Sequence, residues 1–430
     1  MKEDFFWAPE NELVKSEIDS LDEEAKRVKK KIEQAIAKSN IAAKVFIGGS
    51  LAKRTLVRKK INDADIFIRF DKKYKDDQLS SLLFKIIKSA KIKGNVKKIH
   101  GSRDYFRIID KNLLFEIVPV LEIRTPKEAR NVTDLSYFHV RYVKNKIKQG
   151  LNPREIVKAK VFCRAINVYG AENYIRGFSG YGLECMIINY GSFIKMLRAA
   201  SKAKDKLILD PERLYKNKNQ IIIELNESKL KSPIVLIDPT WKERNVLAAL
   251  SNESFLKFKE AASEFLKNPS REFFCFKEKD CLNAYNCARS NCGEFCELII
   301  KTDKQEGDIA GSKLKKFYKA LMLDIKKEFC VFFSDFSYIC GKKALIWVAA
   351  SPKKDIVRAG PPLEMKKAVS EFKRIHKQVF IEKGKICAKL TASKNLRNFM
   401  AKYNNANRKK ISEMHITGVK VNHYKRFAIR

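Results

Sequence analysis

Two aspartates separated by a single residue, Asp63 and Asp65, lie in the run "DADIFIRF" at residues 63–70. The alternation in this run predicts a β-strand with its apolar side chains on one face and both carboxylates on the other. Same-face neighbours on a strand lie about 6.5–7 Å apart, so the two carboxylates repel each other unless a cation lies between them. The spacing therefore favours a divalent-metal site.

A Gly-Gly-Ser turn and a second strand that contains an acid supply groups that could bind phosphate and metal. Gly49 and the glycine before it allow a tight strand-to-helix turn that brings backbone N–H groups close to an anion, and Ser50 can donate to a phosphate oxygen. Glu116 lies in the apolar run "LLFEIVPV", where an unpaired charge is costly, so it is the candidate third carboxylate. Such a set could hold two magnesium ions that bridge a nucleoside triphosphate and an attacking hydroxyl. The alternative is an edge strand whose acids face solvent beside lysines.

The charge of the chain favours a polyanionic partner. Its 430 residues include 89 Lys and Arg against 50 Asp and Glu, which gives a formal net charge of +39. Nucleic acid is the first candidate, although a generally basic proteome would give the same balance. The 45% hydrophobic content argues against a disordered basic tail. Because neither a signal-peptide core nor an apolar run of membrane-spanning length is found, we expect a cytoplasmic protein that does not enter a membrane.

The ten cysteines favour reduced thiols in a cytoplasmic protein. Five of them fall between Cys275 and Cys296, but their spacing is wide and uneven, whereas zinc knuckles show paired cysteines two to four residues apart. Whether this cluster binds zinc is left open by the sequence.

The order of predicted elements indicates an α+β multidomain chain. Residues 10–39 have the apolar spacing of an amphipathic helix, and a mixed α/β region follows as far as residue 142. Helices then dominate, among them Pro153–Ala165 and Leu183–Ala200. From residue 294 onward strand-like runs flank one helical segment, and the chain after Gly360 is strongly basic.

The sequence resembles a known family over residues 46–274. Gly-Ser followed by Asp-x-Asp on the next strand looks like the DNA polymerase beta-like nucleotidyltransferases. Three longer segments are similar to the class I (archaeal-type) CCA-adding enzymes, which are tRNA nucleotidyltransferases: "NVYGAENYIRGFSGYGLECMIINYGSFIKMLRAA" (167–200), "DPTWKERNVLAALS" (238–251) and "EFLKNPSREFF" (264–274).

This resemblance implies a four-part layout. A nucleotidyltransferase catalytic head would span residues 1–142, and a helical neck that binds the nucleotide base and the tRNA would span 143–274. An α/β body would follow over 275–360, and a basic, tRNA-binding tail over 361–430.

The resemblance also implies roles for individual residues. The family's metal carboxylates correspond here to Asp63, Asp65 and Glu116, which would hold Mg²⁺, and its base-reading arginine corresponds to Arg244. Two positions depart from the family pattern, since Glu116 stands where Asp is usual and Lys53 where Arg is common, which exchanges a bidentate fork for a point charge. The positions expected to bind the nucleotide and its triphosphate are Gly49, Ser50, Lys53, His139, Lys160 and Tyr169.

The activity implied by the resemblance is the addition of C, C and A to the 3′ end of tRNA from CTP and ATP, without a nucleic-acid template and with release of pyrophosphate. The expected partners are the tRNA acceptor stem and elbow, and the family also suggests a homodimer. Two alternatives stay open: another RNA 3′-nucleotidyltransferase of the poly(A)-polymerase type, and a non-catalytic RNA-binding relative. Lys160 and Tyr169 can reach one site only if their helix ends near Asn167, because nine residues of continuous helix would turn them apart.

Overall fold

The chain is described by a computed structural model in which it forms two compact units, residues 1–277 and 278–430. Helices and strands occur in both, so the predicted α+β multidomain class is confirmed. Within the described residues, no helix is both long and apolar enough to cross a bilayer. The residues that the structure describes are 9–110, 112–276, 281–354, 356–390 and 393–422.

The first unit begins with a mixed α/β region built around a five-stranded sheet. Its elements are α1 (Lys15–Ala37), β1 (Ala43–Ile47), α2 (Gly49–Lys53), β2 (Asn62–Phe70), α3 (Asp76–Ala90), β3 (Asn95–Ile99), β4 (Tyr105–Asp110) and β5 (Leu113–Leu121). The strand order is β1-β2-β5-β4-β3. Only β2 and β5 run parallel in this sheet, and β5 is its central strand.

The apolar face predicted for β2 is confirmed. Ala64, Ile66, Ile68 and Phe70 are all 0% exposed and belong to the core between the sheet and its helices. Burial of one complete face fixes the register of the strand, because a slip of one residue would place the aspartates in the core. The core thus fixes which way Asp63 and Asp65 point.

The rest of the first unit is mostly helical. Its strands β6, β7 and β8 form a small separate sheet. The elements are α4 (Ser136–Lys148), α5 (Pro153–Ala165), α6 (Gly180–Tyr190), α7 (Phe193–Lys202), β6 (Leu207–Leu209), α8 (Lys218–Glu224), α9 (Glu227–Leu230), β7 (Ile234–Asp238), β8 (Trp241–Asn245) and α10 (Asn252–Lys267).

Helix α5 has the bounds that the sequence predicts. Asn152 caps its N-terminus by accepting a hydrogen bond from the Arg154 backbone N–H, and Pro153 occupies a first-turn position where its missing N–H costs nothing. The prediction of one helix over Leu183–Ala200 is wrong. Gly191 adopts φ +80° and ends α6, and the Ser192 side chain then caps α7.

The second unit contains a four-stranded sheet of order β10-β11-β9-β15 and a three-stranded sheet of order β12-β14-β13. Its elements are α11 (Leu282–Ser290), β9 (Glu294–Thr302), α12 (Asp308–Glu328), β10 (Phe329–Cys340), β11 (Lys343–Pro352), β12 (Ile356–Pro362), α13 (Lys366–Ile375), β13 (Val379–Glu382), β14 (Lys385–Leu390), α14 (Leu396–Ala406), α15 (Arg408–Glu413) and β15 (Ile416–Asn422).

The four-part division of the chain stays a prediction, and the structure adds one observation about it. Strand β15 pairs with β9, so the segments predicted as body (275–360) and tail (361–430) share one sheet. The last part of the predicted basic tail, residues 423–430, lies outside the described residues.

Candidate active site

Most of the predicted site residues line one cavity of about 250 Å³ in the first unit, called here the catalytic cavity. Helix α2 with the loop after it, the strands β2 and β5, helix α5 and the start of α6 contribute to its wall. Eight of the ten predicted residues line this cavity, and the other two, His139 and Arg244, lie in a neighbouring cluster. The eight are Gly49, Ser50, Lys53, Asp63, Asp65, Glu116, Lys160 and Tyr169.

The parallel pairing of β2 and β5 brings the three carboxylates to one side of the sheet. Asp65 is directly opposite Glu116 in the register, and Asp63 precedes Asp65 by two residues. Burial raises the pKa of Asp65 to about 7, and the charges of Glu116 and Asp63 add to this rise. A carboxyl in that position holds its negative charge poorly unless a cation neutralises it.

The outer two carboxylates have basic partners. Asp63 accepts a hydrogen bond from Lys59, and Glu116 accepts one from Arg107 at 2.7 Å. As the side chains lie, no group of three or more His, Cys, Asp or Glu within the described ranges forms a ready metal site. Neither Asp65 with its neighbouring acids nor the described cysteines near Cys281 form such a group. Lys59 and Arg107 each contact one oxygen of their carboxylate, Asp63 Oδ2 and Glu116 Oε1.

The chemistry of the donor set nevertheless fits magnesium. Mg²⁺ prefers oxygen ligands and is commonly bound by one or two carboxylates together with substrate phosphates. A further oxygen, Asn62 Oδ1, is buried with no hydrogen-bond partner among the residues that the structure describes, and its residue lines the same cavity. The site thus offers oxygen ligands, and its central carboxyl would be stabilised by a positive charge.

Gly49 leaves space for the central carboxylate. Its φ is +61°, and a Cβ built on it would overlap Asp65 Oδ2. The Gly48 backbone N–H donates to the Asp65 carbonyl oxygen at 2.8 Å, which ties the turn to β2. At Gly49 only glycine fits both the space and the backbone angle, whereas at Gly48 the space alone requires it, since a Cβ there would overlap the Phe67 ring.

Two lysines of the site share one buried acid that the sequence analysis did not identify. Lys53 Nζ donates to Glu184 Oε2 at 2.6 Å, and Lys160 Nζ donates to Glu184 Oε1 at 2.9 Å. The relative exposure is 8% for the Lys53 side chain, 4% for Lys160 and 1% for Glu184. The pKa of Glu184 is held at about 2, because the two ammonium groups outweigh the effect of burial.

Tyr169 reaches the same cavity because its helix ends early. Helix α5 stops at Ala165 and Asn167 adopts φ +59°, which is the break that Lys160 and Tyr169 need to converge. A Cβ built on Gly180 would lie 3.0 Å from the Tyr169 hydroxyl and 3.9 Å from Lys160 Cε. Burial, with a contribution from the negative charge of Glu184, raises the pKa of Tyr169 above its usual range, so its hydroxyl stays protonated and can donate.

His139 and Arg244 meet at a second buried acid, Asp238, which is 0% exposed. His139 Nε2 and Arg244 Nη1 both donate to Asp238 Oδ2, at 3.1 and 2.6 Å. Burial lowers the pKa of His139 despite the nearby carboxylate. Tyr181 joins this cluster to the catalytic cavity: it lines the cavity, donates to Asp238 Oδ1 at 3.1 Å and stacks on His139 with ring centroids 3.9 Å apart.

The residues missed by sequence reasoning include Glu184, Asp238 and Tyr181. A signal was present for both acids. Glu184 interrupts the apolar helix "GLECMII", and Asp238 ends the fully buried strand "IVLID", so each is an acid in an apolar setting. The argument applied to Glu116 applies equally to them, because a buried carboxylate needs partners. The phenol of Tyr181 gave no such signal.

Comparison with known proteins bears on the identity of the chain. Residues 154–275 match the family model described as "tRNA nucleotidyltransferase, second domain". The CCA-adding enzyme of Nanoarchaeum equitans is 33% identical over 365 residues, which cover 84% of this chain and 86% of that protein. The CCA-adding enzyme of Pyrococcus abyssi is 34% identical over 60% of this chain and 59% of its own length. That of Methanocaldococcus jannaschii is 27% identical over 87% and 84%.

Among solved structures, the Cid1 poly(U) polymerase with Mg and 3′-dATP bound has a TM-score of 0.47 and 12% identity. The match covers 62% of this chain and 96% of that one. Since this structural similarity is weak, the assignment rests on the sequence comparison. At 33% identity over most of both proteins, the resemblance seen in the sequence is confirmed. The chain belongs to the CCA-adding enzymes.

Proposed function

We propose that this protein adds C, C and A to the 3′ end of tRNA, with CTP and ATP as substrates and Mg²⁺ as the cofactor. The observation that carries the proposal is the catalytic cavity, where carboxylates on paired strands face two buried lysines in a chain of this family. A site of that charge pattern suits a metal-bound triphosphate, since the acids hold the metal and the lysines compensate the phosphate charge.

In the proposed reaction the 3′-hydroxyl oxygen of the RNA attacks the α-phosphorus, and the bond from that phosphorus to the pyrophosphate oxygen breaks. Magnesium held by Asp63, Asp65 and Glu116 would supply charge neutralisation. The Ser50 hydroxyl and the Lys53 ammonium group bind and orient the triphosphate, with Lys160 adding positive charge. Tyr169 adds a hydroxyl donor at the cavity wall, His139 lies beside the cavity against Tyr181, and Arg244 reads the base.

The decisive experiment is incubation of the full chain with tRNA that lacks its CCA end, followed by sequencing of the 3′ ends. We expect the 3′ ends to carry added cytidines when CTP alone is present, and the complete CCA when CTP and ATP are present together. Runs of A from ATP alone would instead identify an enzyme of the poly(A)-polymerase type. Binding of tRNA without any addition would identify a non-catalytic relative.

Arg244→Ala should reduce selection of CTP and ATP over UTP and GTP. The planar guanidinium has N–H donors in a fixed fork that matches a base edge, and such a pair is worth about 1–3 kcal/mol of discrimination. We therefore expect the incorporation ratio to fall by about five- to 150-fold, measured by competition between the four triphosphates.

Arg244→Lys is the matched control for this prediction, because it keeps the charge beside Asp238 and removes only the fork. Selectivity should fall in both variants. Unchanged selectivity with an equal loss of affinity for all four triphosphates would instead make Arg244 a phosphate ligand.

Neutralising basic side chains on α13 should weaken tRNA binding and its salt dependence. Lys366, Lys367 and Lys373 are exposed on a helix that contains no buried residue. The triple Gln variant should lose about 0.7–0.9 per phosphate contact from the slope of log affinity against log salt, which gives about 2–3 in total. CTP binding should not change. The control replaces three exposed lysines of α1 by Gln: Lys26, Lys30 and Lys31. An equal fall in the salt slope of this control would show that loss of any three positive charges has the same effect.

Two further expectations belong to this proposal. The family suggests a homodimer, which light scattering of the purified chain tests directly. We also expect the protein to act in the cytoplasm, where tRNA is made and processed.

A further inference from the structure

Glu184 is a buried carboxylate to which the proposed mechanism gives no role. It lies on α6 and is 0% exposed. Lys53 reaches it from α2 and Lys160 from α5, so one acid side chain joins three elements of the cavity wall. A buried carboxylate is tolerated only with good partners, and each lysine supplies one.

The three charged groups act as one unit beside the triphosphate position. Two ammonium groups and one carboxylate leave a net charge of one positive unit at the cavity wall. Without the carboxylate, the two buried ammonium groups would lose the negative charge that they share, and like charges at short range repel strongly in a low dielectric. Glu184 therefore allows both lysines to occupy this wall.

The two lysines differ in how many donors they have left. An ammonium group has three N–H donors. Lys160 Nζ uses all three inside the protein: on Glu184, on the Thr55 carbonyl oxygen at 3.2 Å and on Thr55 Oγ1 at 2.9 Å. Lys53 Nζ has Glu184 as its one hydrogen-bond partner among the residues that the structure describes. Two donors of Lys53 are thus left for a ligand in the cavity that it lines.

We propose that Glu184 is a positioning residue for nucleotide binding. It holds Lys53 so that the remaining N–H donors of this lysine are directed to the triphosphate, and Lys160 with Thr55 holds Glu184 in place. This inference rests on the proposed function, of which it explains one part.

The test is Glu184→Gln, which keeps the shape of the side chain and removes its charge. A hydrogen bond to a charged group is worth about 1.5–3 kcal/mol, so we expect the Kd and the KM for CTP to rise about ten- to hundredfold. The KM for tRNA and kcat should stay within about threefold of the wild type, since Glu184 acts through the triphosphate ligands. A KM for CTP within twofold of the wild-type value, in a folded variant, overturns the proposal.

A matched control separates positioning from general stability. Glu155 is also a buried acid of the first unit, on α5, where it accepts hydrogen bonds from Lys158 at 3.0 Å and from the Phe193 backbone N–H at 2.8 Å. It does not line the catalytic cavity. Glu155→Gln should lower the melting temperature and leave the KM for CTP unchanged. A comparable rise of KM in both variants would show a merely structural role for Glu184.

A double-mutant cycle adds a second criterion. If Glu184 acts through Lys53, Glu184→Gln should change CTP affinity little once Lys53→Met is present, whereas additive effects contradict the proposal. If Glu184→Gln does not fold, Thr55→Val gives the answer, because it removes a hydroxyl that donates to Glu184 at 3.2 Å and accepts from Lys160. Its KM for CTP should rise about threefold, and an unchanged KM overturns the inference.

Failure of this inference can be told from failure of the proposed function. CTP binding is measured directly on the full chain by calorimetry, without tRNA or turnover. If the wild type adds no nucleotide to tRNA, the proposed function fails, and the binding series still tests Glu184. If the wild type adds CCA and Glu184→Gln binds CTP normally, only the present inference fails.

Discussion

Asp65→Asn will lower the rate of nucleotide addition about a thousandfold or more. The carboxylate lies between Asp63 and Glu116 on paired strands, and metal coordination there is worth several kcal/mol of transition-state stabilisation. Asp63→Asn should be similarly inactive. Binding of tRNA should be retained in both variants, because the substitution is isosteric and lies within the cavity. The measurement is single-turnover addition of CMP to tRNA that lacks CCA.

Asp65→Asn should also stabilise the folded protein in the absence of magnesium. The pKa of Asp65 is raised from 3.8 to about 7, so its charge destabilises the fold increasingly as the pH rises from about 4 to about 7. A neutral Asn avoids that cost, which is about 1.4 kcal/mol per pKa unit at full burial. Because Asp65 is only partly buried, we expect a gain of about 1–3 kcal/mol above pH 7 and none below pH 4.

Thermal unfolding with and without Mg²⁺ completes this prediction. Magnesium should raise the melting temperature of the wild type above pH 7 and leave that of Asp65→Asn unchanged. The control is Glu122→Gln, since Glu122 is a partly exposed acid of the same unit, 2.9 Å from Lys44 Nζ. This substitution should change neither the stability above pH 7 nor the effect of Mg²⁺ on the melting temperature. Robust addition by Asp65→Asn would exclude Asp65 as a metal ligand.

Gly49→Ala will reduce activity about a hundredfold with little change in tRNA affinity. The added methyl group overlaps Asp65 Oδ2, so the carboxylate must rotate or the turn must shift, and displacement of a catalytic group by about 1 Å typically costs about 10²-fold in rate. The backbone angle adds strain, because φ is +61° at this residue.

Gly191→Ala is the matched control for that prediction. Gly191 also has positive φ, at +80°, but a Cβ there meets no atom of the described part of the chain within 4 Å. Its substitution should cost about 1 kcal/mol of unfolding free energy through backbone strain and leave addition unchanged. If both alanine variants lost activity equally, strain rather than the contact with Asp65 would be responsible.

The local features of the site could be predicted from sequence because they depend on neighbours in the chain. Alternation around Ala64 gives the buried face of β2, and Pro153 marks the start of α5. The break between α6 and α7 was also within reach of such reasoning, as Gly191 followed by Ser192 combines a helix stop with a helix cap.

The partners of buried charges could not be predicted, because they are distant in sequence. Glu184 lies 131 residues from Lys53, and His139 lies 99 residues from Asp238. Periodicity identifies an acid in an apolar segment, but only the packing of whole elements shows which basic group meets it. Arg107 and Glu116 are only nine residues apart, and the pairing of β4 with β5 places them opposite each other.

The pairing of β15 with β9 has a consequence for synthesis of the protein on the ribosome. Ile416 pairs with Thr302, so this sheet cannot be completed until a strand made more than a hundred residues later has emerged. During that interval the edge of β9 has unpaired N–H and C=O groups, which can pair with other nascent chains. Messages truncated before codon 416 should therefore yield aggregation-prone products, and chaperone demand should be highest in the last stage of translation.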